Sequence, residues 1–389
     1  MIARSAEREL RALAREFKAV VVTGPRQSGK TTLVQKVFSK KPYVLLEEPD
    51  VRSFAIEDPR RFLEQFPDGA VLDEVQRTPD LFSYIQGTLD GGTKTGQFIL
   101  TGSCNFGLME SITQSLAGRV GIIELFPFSL TELQAAGCAP EKLDSLLFQG
   151  LYPAIYDQKP RVSRWHNAYV MTYIERDARQ LINLKDLALF QRFLGLCAAN
   201  IGQLVNTARL GADCGVHHNT IRSWLSLLET SYLAFRLQPH FSNFRKRLVK
   251  SPKLYFCDVG LAARLLEIEN ESQLARHPLR GALFENWCVV ELLKARLNRG
   301  LSPNLYFWRN HVGMEIDVIA DHGSTLLPVE IKSGATVSSD WAQGLDRWRA
   351  LAGAVSEKAW LVYGGDARQQ RTNVTILPWH QIGRLCRKI

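Results

Sequence analysis

A short loop with two glycines, a lysine and a threonine lies between two regular patterns near the start of the chain. Residues 24–31 read Gly-Pro-Arg-Gln-Ser-Gly-Lys-Thr, which matches G-x-x-x-x-G-K-[ST] at every position. A β-branched run comes before the loop, and a helical pattern follows it. The apolar runs typical of buried parallel strands are residues 19–22, 43–46, 70–72, 97–100 and 120–125. This order predicts an α/β unit with a parallel sheet.

The loop is predicted to bind the phosphates of a nucleoside triphosphate. Its glycines allow backbone N–H groups to curl around phosphate oxygens, where the helix N-terminus adds partial positive charge. Lys30 is expected to reach the β- and γ-phosphates, and the Thr31 hydroxyl to ligate Mg²⁺. The alternative is a glycine loop that only caps a helix. The residues expected to contact the nucleotide are Gly24, Pro25, Arg26, Gln27, Ser28, Gly29, Lys30, Thr31 and Thr32.

Two acidic residues follow the apolar run at residues 70–72. Asp73 is expected to hold Mg²⁺ through its hydration shell, and Glu74 to polarise the water that attacks the terminal phosphate. Acidic residues at the end of a strand are often only solvated starts of loops. Their pairing with the glycine loop favours the functional interpretation.

Two further positions beside strands are candidates for the same site. Because the carboxyl ends of strands line the ligand crevice of an open parallel sheet, Thr101 or Ser103 could sense the γ-phosphate. A plain turn is the alternative at this place. Arg119 is either a structural surface residue or an arginine finger that reaches the nucleotide of a neighbouring subunit.

These motifs resemble a large group of prokaryotic AAA+-type ATPases. The group has a GPR-x-x-GKT loop, an acidic pair DE, an LTGS segment and an S-L-A-G-R element, all of which this chain contains. Its members also carry a C-terminal region known as the DUF4143 domain. The resemblance covers nearly the whole chain. It implies an AAA+ core that forms homo-oligomers, with a ring as one form, and it leaves the biochemical role open.

Charge and composition narrow the possible partners and compartment. Lys and Arg number 48 against 39 Asp and Glu, and the net charge of +9 favours polyanions such as DNA. The seven cysteines include no C-x-x-C pair, so a reducing compartment is expected. Apolar runs stay well below the ~18 residues of a membrane span, and the charged N-terminus does not resemble a secretory signal. The sequence therefore predicts a cytoplasmic protein without membrane contact.

Residues 203–228 are predicted to form a helix-turn-helix with Gly215 in the turn. If the second helix is a recognition helix, its exposed side chains meet phosphates or base edges; a packing module is the alternative. The next stretch mixes basic and aromatic residues, which suits phosphate contact with base stacking or a solvated β-wing. The candidate nucleic-acid contacts are His217, His218, Asn219, Arg222, Arg245, Lys246, Arg247 and Lys250.

A pattern of carboxylates and lysine late in the chain predicts a second charged site. Glu330 and Lys332 lie two positions apart on a predicted strand and therefore point to the same face. Asp317 on a neighbouring strand could join them, and Glu285 on a preceding helix could complete the site. Two carboxylates can hold Mg²⁺, and Lys332 can orient or deprotonate water for attack on a phosphodiester. The alternative is an alternating strand with an exposed salt bridge.

This second pattern resembles the PD-(D/E)xK nuclease fold, the restriction-endonuclease-like core. The matching positions are Glu285, Asp317, Glu330 and Lys332. Ile316 stands where the family pattern has a proline, which is a departure that the superfamily tolerates. The resemblance implies either an active metal-dependent nuclease or a nuclease fold without cleavage.

Together these patterns predict an α/β protein in four parts. The parts are a P-loop AAA+ domain at residues 1–135, a helical lid or linker at 136–200, a winged-helix module at 201–260 and a DUF4143 nuclease-like α/β domain at 261–389. The predicted function is a Mg²⁺-dependent ATPase that acts on DNA, with ATP and Mg²⁺ as cofactors and a C-terminal nuclease domain. The alternative is an ATP-dependent molecular switch whose nuclease-like domain binds DNA or protein without cleavage.

Overall fold

The computed structural model describes residues 2–103, 115–174, 186–240 and 250–389. The chain divides into two compact units. The N-terminal unit comprises Met1–Phe128, Thr230–Tyr232 and Leu297–Leu301, and the C-terminal unit comprises Ser129–Glu229, Leu233–Arg296 and Ser302–Ile389. The finer division into four domains stays a prediction.

Strands and helices alternate along the N-terminal unit. Its described elements are α1 Glu7–Glu16, β1 Ala19–Thr23, α2 Lys30–Val37, β2 Tyr43–Leu45, α3 Pro49–Glu57, α4 Pro59–Glu64, β3 Val71–Asp73, a 3-10 turn at Val75–Arg77, α5 Leu81–Gly91, β4 Phe98–Thr101 and β5 Val120–Glu124. Every strand predicted for this unit is present, and each end lies within one residue of the prediction.

The strands of this unit form a parallel sheet. Within the described residues the order is β2-β3-β4-β1-β5. The strands are apolar runs because both faces of a parallel sheet are covered. Along β1, Ala19 and Val21 pack into one apolar cluster, while Val20 and Val22 pack into another. β1 is therefore covered on both faces and lies between β4 and β5, and the loop that follows it leaves the sheet at the carboxyl edge.

The later helices include the predicted helix-turn-helix pair. They are α6 Leu130–Ala135, α7 Leu143–Gln149, α8 Pro153–Asp157, α9 Val162–Tyr169 with a π-helical turn at Val170–Ile174, α10 Leu187–Ala199, α11 Thr207–Cys214, α12 His218–Thr230, α13 Val259–Leu265, α14 Glu271–Ala275, α15 Arg280–Leu297, α16 Gln343–Ala352 and α17 Gly383–Cys386. Further 3-10 segments span Ser339–Ala342, Gly353–Val355 and Trp379–Gln381.

The C-terminal unit contains a second, mixed sheet. Its strands are β6 Ala234–Pro239, β7 Lys253–Phe256, β8 Leu305–Arg309, β9 Glu315–Asp321, β10 Leu326–Lys332, β11 Ala359–Tyr363, β12 Gln369–Gln370 and β13 Val374–Pro378. In the described residues their order is β12-β13-β11-β10-β9-β8-β6-β7. β9 is antiparallel to both β8 and β10, whereas β10 is parallel to β11.

The sequence pattern predicts neither β6 nor β13, whereas the strands that it predicts at Asp317 and Glu330 are present as β9 and β10. β13 is a wholly buried run of five residues, and such a short apolar run does not distinguish a strand from a buried helix turn. Strand β6 pairs with β8, so the hairpin of β6 and β7 extends the same sheet. Among the described helices, none combines the length and the apolar character that a membrane crossing requires.

Candidate nucleotide site and carboxylate cluster

The loop between β1 and α2 requires glycine at two positions. Gly24 has a φ of 137° and Gly29 a φ of 91°, both in the region that favours glycine. A Cβ atom at Gly24 would lie 2.3 Å from the carbonyl oxygen of Leu125, so a larger residue does not fit. Gln27 has a φ of 58°, which is uncommon for a residue with a side chain. These angles fold the loop into a tight cradle in front of α2.

Lys30 begins α2 and folds its side chain back over this cradle. Its Nζ donates to the carbonyl oxygens of Gly24 at 3.0 Å and Pro25 at 2.8 Å, and the residue is only 6% exposed. Thr31 and Thr32 follow in the first turn, where the backbone N–H groups have no partner within the helix. The positive end of the helix and the ammonium therefore lie at the same place.

The remaining loop side chains differ in exposure. Arg26 is half-buried, Gln27 and Thr32 are exposed, and Ser28 is fully buried. The Ser28 Oγ has no hydrogen-bond partner among the residues that the structure describes. A buried hydroxyl beside a cradle of N–H groups fits a ligand with several acceptor oxygens, such as a triphosphate.

Asp73 ends β3 and accepts several hydrogen bonds. Its Oδ2 accepts from the Thr31 hydroxyl at 2.7 Å and from the Tyr43 hydroxyl at 2.6 Å, and its Oδ1 accepts from the Thr101 hydroxyl. Burial and the Asp73 hydrogen bond raise the pKa of Tyr43, so Tyr43 stays a donor. The Thr31 hydroxyl and a carboxylate oxygen side by side fit the oxygen ligands that Mg²⁺ prefers.

Glu74 and Ser103 share a partner at the same edge of the sheet. The Gln76 side-chain amide donates to the Glu74 carboxylate and, at 3.3 Å, to the Ser103 hydroxyl. Glu74 has a φ of 57°, which turns the chain sharply after β3. Arg119 lies elsewhere on the unit, where its Nε donates to Asp90 Oδ1 at 2.5 Å and its side chain is one-third exposed.

Sequence reasoning missed two residues that contact this site. Tyr43 covers Asp73 from β2. Arg4 is 9% exposed, and its guanidinium donates to the carbonyl oxygen of Ser28 at 2.7 Å and to the carbonyl oxygen of Phe126. The same guanidinium lies 5.0 Å from the centroid of the Phe128 ring. No motif marks either position, because Arg4 is joined to the loop only by the fold.

The predicted helix-turn-helix residues lie in α12 or directly before it, and their contact with nucleic acid stays a prediction. Gly215 turns the chain with a φ of 75°, and Ile221, Trp224 and Leu225 are buried beneath. His217, Asn219, Arg222 and Lys250 are exposed and His218 is half-buried. Arg245, Lys246 and Arg247 lie outside the described residues.

Three of the four predicted residues of the second site, Asp317, Glu330 and Lys332, lie together on β9 and β10. The backbone N–H of Ile331 donates to Asp317 Oδ2 at 2.8 Å, which joins the two strands. Lys332 Nζ lies 2.5 Å from Glu330 Oε1 and 3.9 Å from Asp317 Oδ2. Asp317 is 8% and Glu330 9% exposed. One ammonium therefore lies between two buried carboxylates.

Glu285 contacts a different lysine. Its Oε1 accepts from Lys253 Nζ at 3.1 Å and from the Tyr255 hydroxyl at 2.6 Å. Lys253 Nζ also pairs with Glu315, whose Oε2 lies 3.2 Å from Arg309. Sequence reasoning missed Lys253, because nothing in the pattern around residue 253 marks it as part of this cluster.

Burial and like charge shift the titration of the cluster. Burial, with the Asp317 charge added, raises the pKa of Glu330 to about 8 and raises the pKa of Glu285. Burial by itself would lower the pKa of Lys332, but the Asp317 and Glu330 carboxylates raise it above its usual value. Glu330 and Glu285 thus hold their protons more tightly than usual, and a bound cation would favour their charged forms.

The donor set fits a divalent cation held by two carboxylates. Glu330 Oε2 is buried without a hydrogen-bond partner in the described part of the chain, and it lies beside Asp317. Carboxylate oxygens are the ligands that Mg²⁺ and Mn²⁺ take. Within the described residues, no three His, Cys, Asp or Glu side chains are arranged to share one ion.

Family models match most of the chain. A model of an AAA domain matches residues 16–134, a domain of unknown function, DUF8612, matches 140–272, and the domain of unknown function DUF4143 matches 280–382. The AAA match covers the loop, Asp73 and Arg119. The chain is therefore an AAA-type ATPase with a DUF4143 region, which confirms that part of the resemblance.

Two mycobacterial relatives have similar sequences. The uncharacterized proteins Rv2008c of Mycobacterium tuberculosis and Mb2031c of Mycobacterium bovis are each 32% identical to this chain over 339 residues, which is 86% of this chain and 75% of theirs. The chain belongs to the family of these two proteins. Among solved structures, the Walker-type ATPase PABY2304 of Pyrococcus abyssi matches with a TM-score of 0.48 and 13% identity, over 68% of this chain and 96% of that one.

Proposed function

We propose that this AAA-type ATPase acts on DNA, with Mg²⁺ and ATP bound in the N-terminal unit and a divalent-metal-dependent nuclease site in the C-terminal unit. The observation that carries the nuclease part is the pair of buried carboxyl groups of Asp317 and Glu330 beside the half-buried Lys332, with one Glu330 oxygen that has no hydrogen-bond partner among the described residues. A salt bridge on an ordinary strand would leave these groups exposed to solvent.

In the N-terminal unit, the loop residues would bind and orient the triphosphate. Lys30 would exchange its two carbonyl acceptors for phosphate oxygens, and Thr31 with Asp73 would hold Mg²⁺. When bound, Mg²⁺ neutralises charge that develops on the phosphates. Glu74, which Gln76 holds in place, would orient the attacking water.

Ser103 and Arg119 would act at the terminal phosphate. Ser103 lies within reach of the Gln76 amide beside Glu74, which suits a sensor of the γ-phosphate. Arg119 is partly exposed and held by Asp90, which suits a finger offered to a second copy of the chain in a homo-oligomer. Thr101 donates to Asp73, which suggests a structural contribution to the same site.

In the C-terminal unit, Asp317 and Glu330 would hold the divalent ion, and the Lys332 ammonium, which the two carboxylates keep protonated, would orient the attacking water. The ion, when bound, supplies Lewis-acid polarisation of the phosphodiester. DNA would reach the unit through the exposed face of α12 and the basic segment near Lys250. The net charge of +9 supports a polyanionic partner.

The test measures ATP turnover with and without DNA, and cleavage of linear and supercoiled DNA in Mg²⁺ or Mn²⁺. We expect DNA to raise turnover and cut products to accumulate. Asp317→Asn should abolish DNA cleavage and leave ATP turnover unchanged. Asp366→Asn is the control, because this side chain is 93% exposed, and it should change neither activity.

Two other outcomes decide between the proposal and its alternative. If DNA does not change ATP turnover and is not cleaved in the presence of either metal, the proposal is wrong. If DNA stimulates turnover but stays uncut, the chain is an ATP-dependent switch whose DUF4143 region binds DNA or protein without cleavage.

A further inference from the structure

The carboxylate cluster has two halves with different charge balance. The first half holds Asp317, Glu330 and Lys332. The second half holds Glu285, Glu315, Lys253 and Arg309. Two carboxylates in the second half face two cations, whereas two carboxylates in the first half face a single ammonium. The carboxyl oxygens with the fewest cationic partners therefore lie on Asp317 and Glu330.

Lys253 cannot readily leave the second half. It is 3% exposed, and its strand is paired with β6 through Leu237 and bridged to Leu204 on the other side. The ring of Phe307 lies 5.6 Å from its Nζ. A lysine in such surroundings has few other rotamers to adopt, so its ammonium is a fixed charge.

The ammonium also uses the oxygens that a second ion would need. Lys253 Nζ contacts one oxygen of Glu285 and one of Glu315, and the Tyr255 hydroxyl donates to the same Glu285 oxygen. A divalent ion would have to displace Lys253 from both carboxylates and approach a charge of its own sign. By contrast, Glu330 Oε2 has no partner in the described residues.

We infer that the Lys253 ammonium fills the position of a second cation, so that the cluster takes a single divalent ion, held by Asp317 and Glu330. This inference rests on the proposed metal-dependent function. Glu285 is then the ion-pair partner of Lys253 and not a ligand of the metal ion. Lys253 is thereby a positioning residue for Glu285 and Glu315.

Lys253 and the four carboxylates of the cluster come from different parts of the chain. Residue 253 lies in the segment that the DUF8612 model matches, outside the DUF4143 match at residues 280–382. The β6–β7 hairpin therefore sets the number of ions in a site whose carboxylates all lie within the DUF4143 match. A DUF4143 region without an equivalent of β7 would lack the lysine ammonium that contacts Glu285 and Glu315 in this chain.

The test counts Mn²⁺ ions on the nucleotide-free full-length chain by electron paramagnetic resonance and calorimetry. The ions that depend on the cluster are counted as the difference between the wild type and Asp317→Asn. An ion at the nucleotide loop is common to both proteins and cancels from this difference. We expect one ion for the wild type and one for Lys253→Arg, which keeps the charge. For Lys253→Met, which keeps the length and removes the charge, we expect two, with a larger rise in Tm on addition of Mn²⁺.

The outcomes separate this inference from the proposed function. Two cluster-dependent ions in the wild type overturn the inference and leave the metal-dependent function standing. No such ion in the wild type overturns both. A folded Lys253→Met that binds one ion overturns the inference, and if that variant does not fold, the wild-type count decides.

Discussion

The nucleotide loop and the carboxylate cluster each place lysine ammonium groups among oxygen atoms, yet they suit ligands of opposite charge. Around Lys30 the acceptors are neutral carbonyls of Gly24 and Pro25, so the positive charge remains for an anion. Around Lys332 the acceptors are two buried carboxyl groups, whose oxygens are ligands for a cation. A lysine thus takes its role from the charge of the oxygens that surround it.

The two regions also differ in how their residues are brought together. Lys30 contacts carbonyls five and six residues earlier in the same loop. Lys253 contacts a carboxylate 32 residues later in the chain, on a helix. The loop is therefore formed by local backbone angles, whereas the cluster depends on the pairing of β7, β9 and β10 in one sheet. Changes in the loop should act on chemistry directly, and changes in the cluster should act on both chemistry and folding.

The largest effect is expected at Lys30. Lys30→Ala removes the ammonium that faces the phosphates, and ATP turnover should fall at least about 100-fold, as when one preorganised donor is lost. Lys36→Ala is the matched control, because Lys36 lies on the same helix with its side chain 41% exposed and paired with Glu7. Steady-state ATP hydrolysis measures both. Retained turnover in Lys30→Ala would contradict the phosphate-binding assignment.

The corresponding change in the cluster is Lys332→Met. Loss of its ammonium should lower DNA cleavage about 100-fold, the usual size of the loss when one preorganised donor is removed, and leave ATP turnover intact. Lys388→Met, at an exposed position of the same unit, is the control. Gel-based cleavage rates and ATP hydrolysis are compared in the same preparations. Equal loss of both activities would mean that the variant disturbs the fold and not the chemistry.

The two units should also respond differently to acid. All eight histidines lie in the C-terminal unit, and burial lowers the pKa of His166 to about 3, from a usual value near 6.5. The unfolded chain therefore binds a proton that the folded chain excludes, and stability falls as pH decreases from about 6.5 towards 3. At pH 5 the loss is on the order of 2 kcal/mol.

His166→Phe tests this acid sensitivity, because phenylalanine fills a similar space and does not titrate. Denaturant unfolding between pH 7 and 4 should show a flatter pH dependence than the wild type. His311→Phe at an exposed position is the control and should keep the wild-type slope. An unchanged slope in His166→Phe would show that other groups carry the acid sensitivity.

The smallest effect is expected at Arg4. Arg4→Met leaves the carbonyl of Ser28 without its donor, so the loop is less well ordered, and the KM for ATP should rise about fivefold, equivalent to about 1 kcal/mol, with kcat little changed. Arg4→Lys should recover part of the affinity, and Arg8→Met, at an exposed position of α1, should have no effect. A fall in kcat at constant KM would argue against a role in ordering the loop.

Much of both sites follows from sequence patterns, for reasons that differ between residues. Gly24 and Lys30 belong to a contiguous motif whose backbone angles are local, so their positions are predictable. Glu330 and Lys332 share a strand face by simple alternation. Arg4 and Lys253 have no such signal, because an arginine or lysine within an ordinary run of residues does not show which distant group it contacts. β13 is missed for a related reason, since its burial comes from the sheet around it.

What the sequence by itself determined is the α/β unit with its phosphate loop and the acidic strand end after β3, because glycine freedom and the period of apolar residues act over a few positions. Only the tertiary structure decided that the β6–β7 hairpin joins the second sheet, and that Lys253 faces Glu285 and Glu315. The partners of a buried charge depend on which strands pair, and strand pairing is a property of the whole sheet.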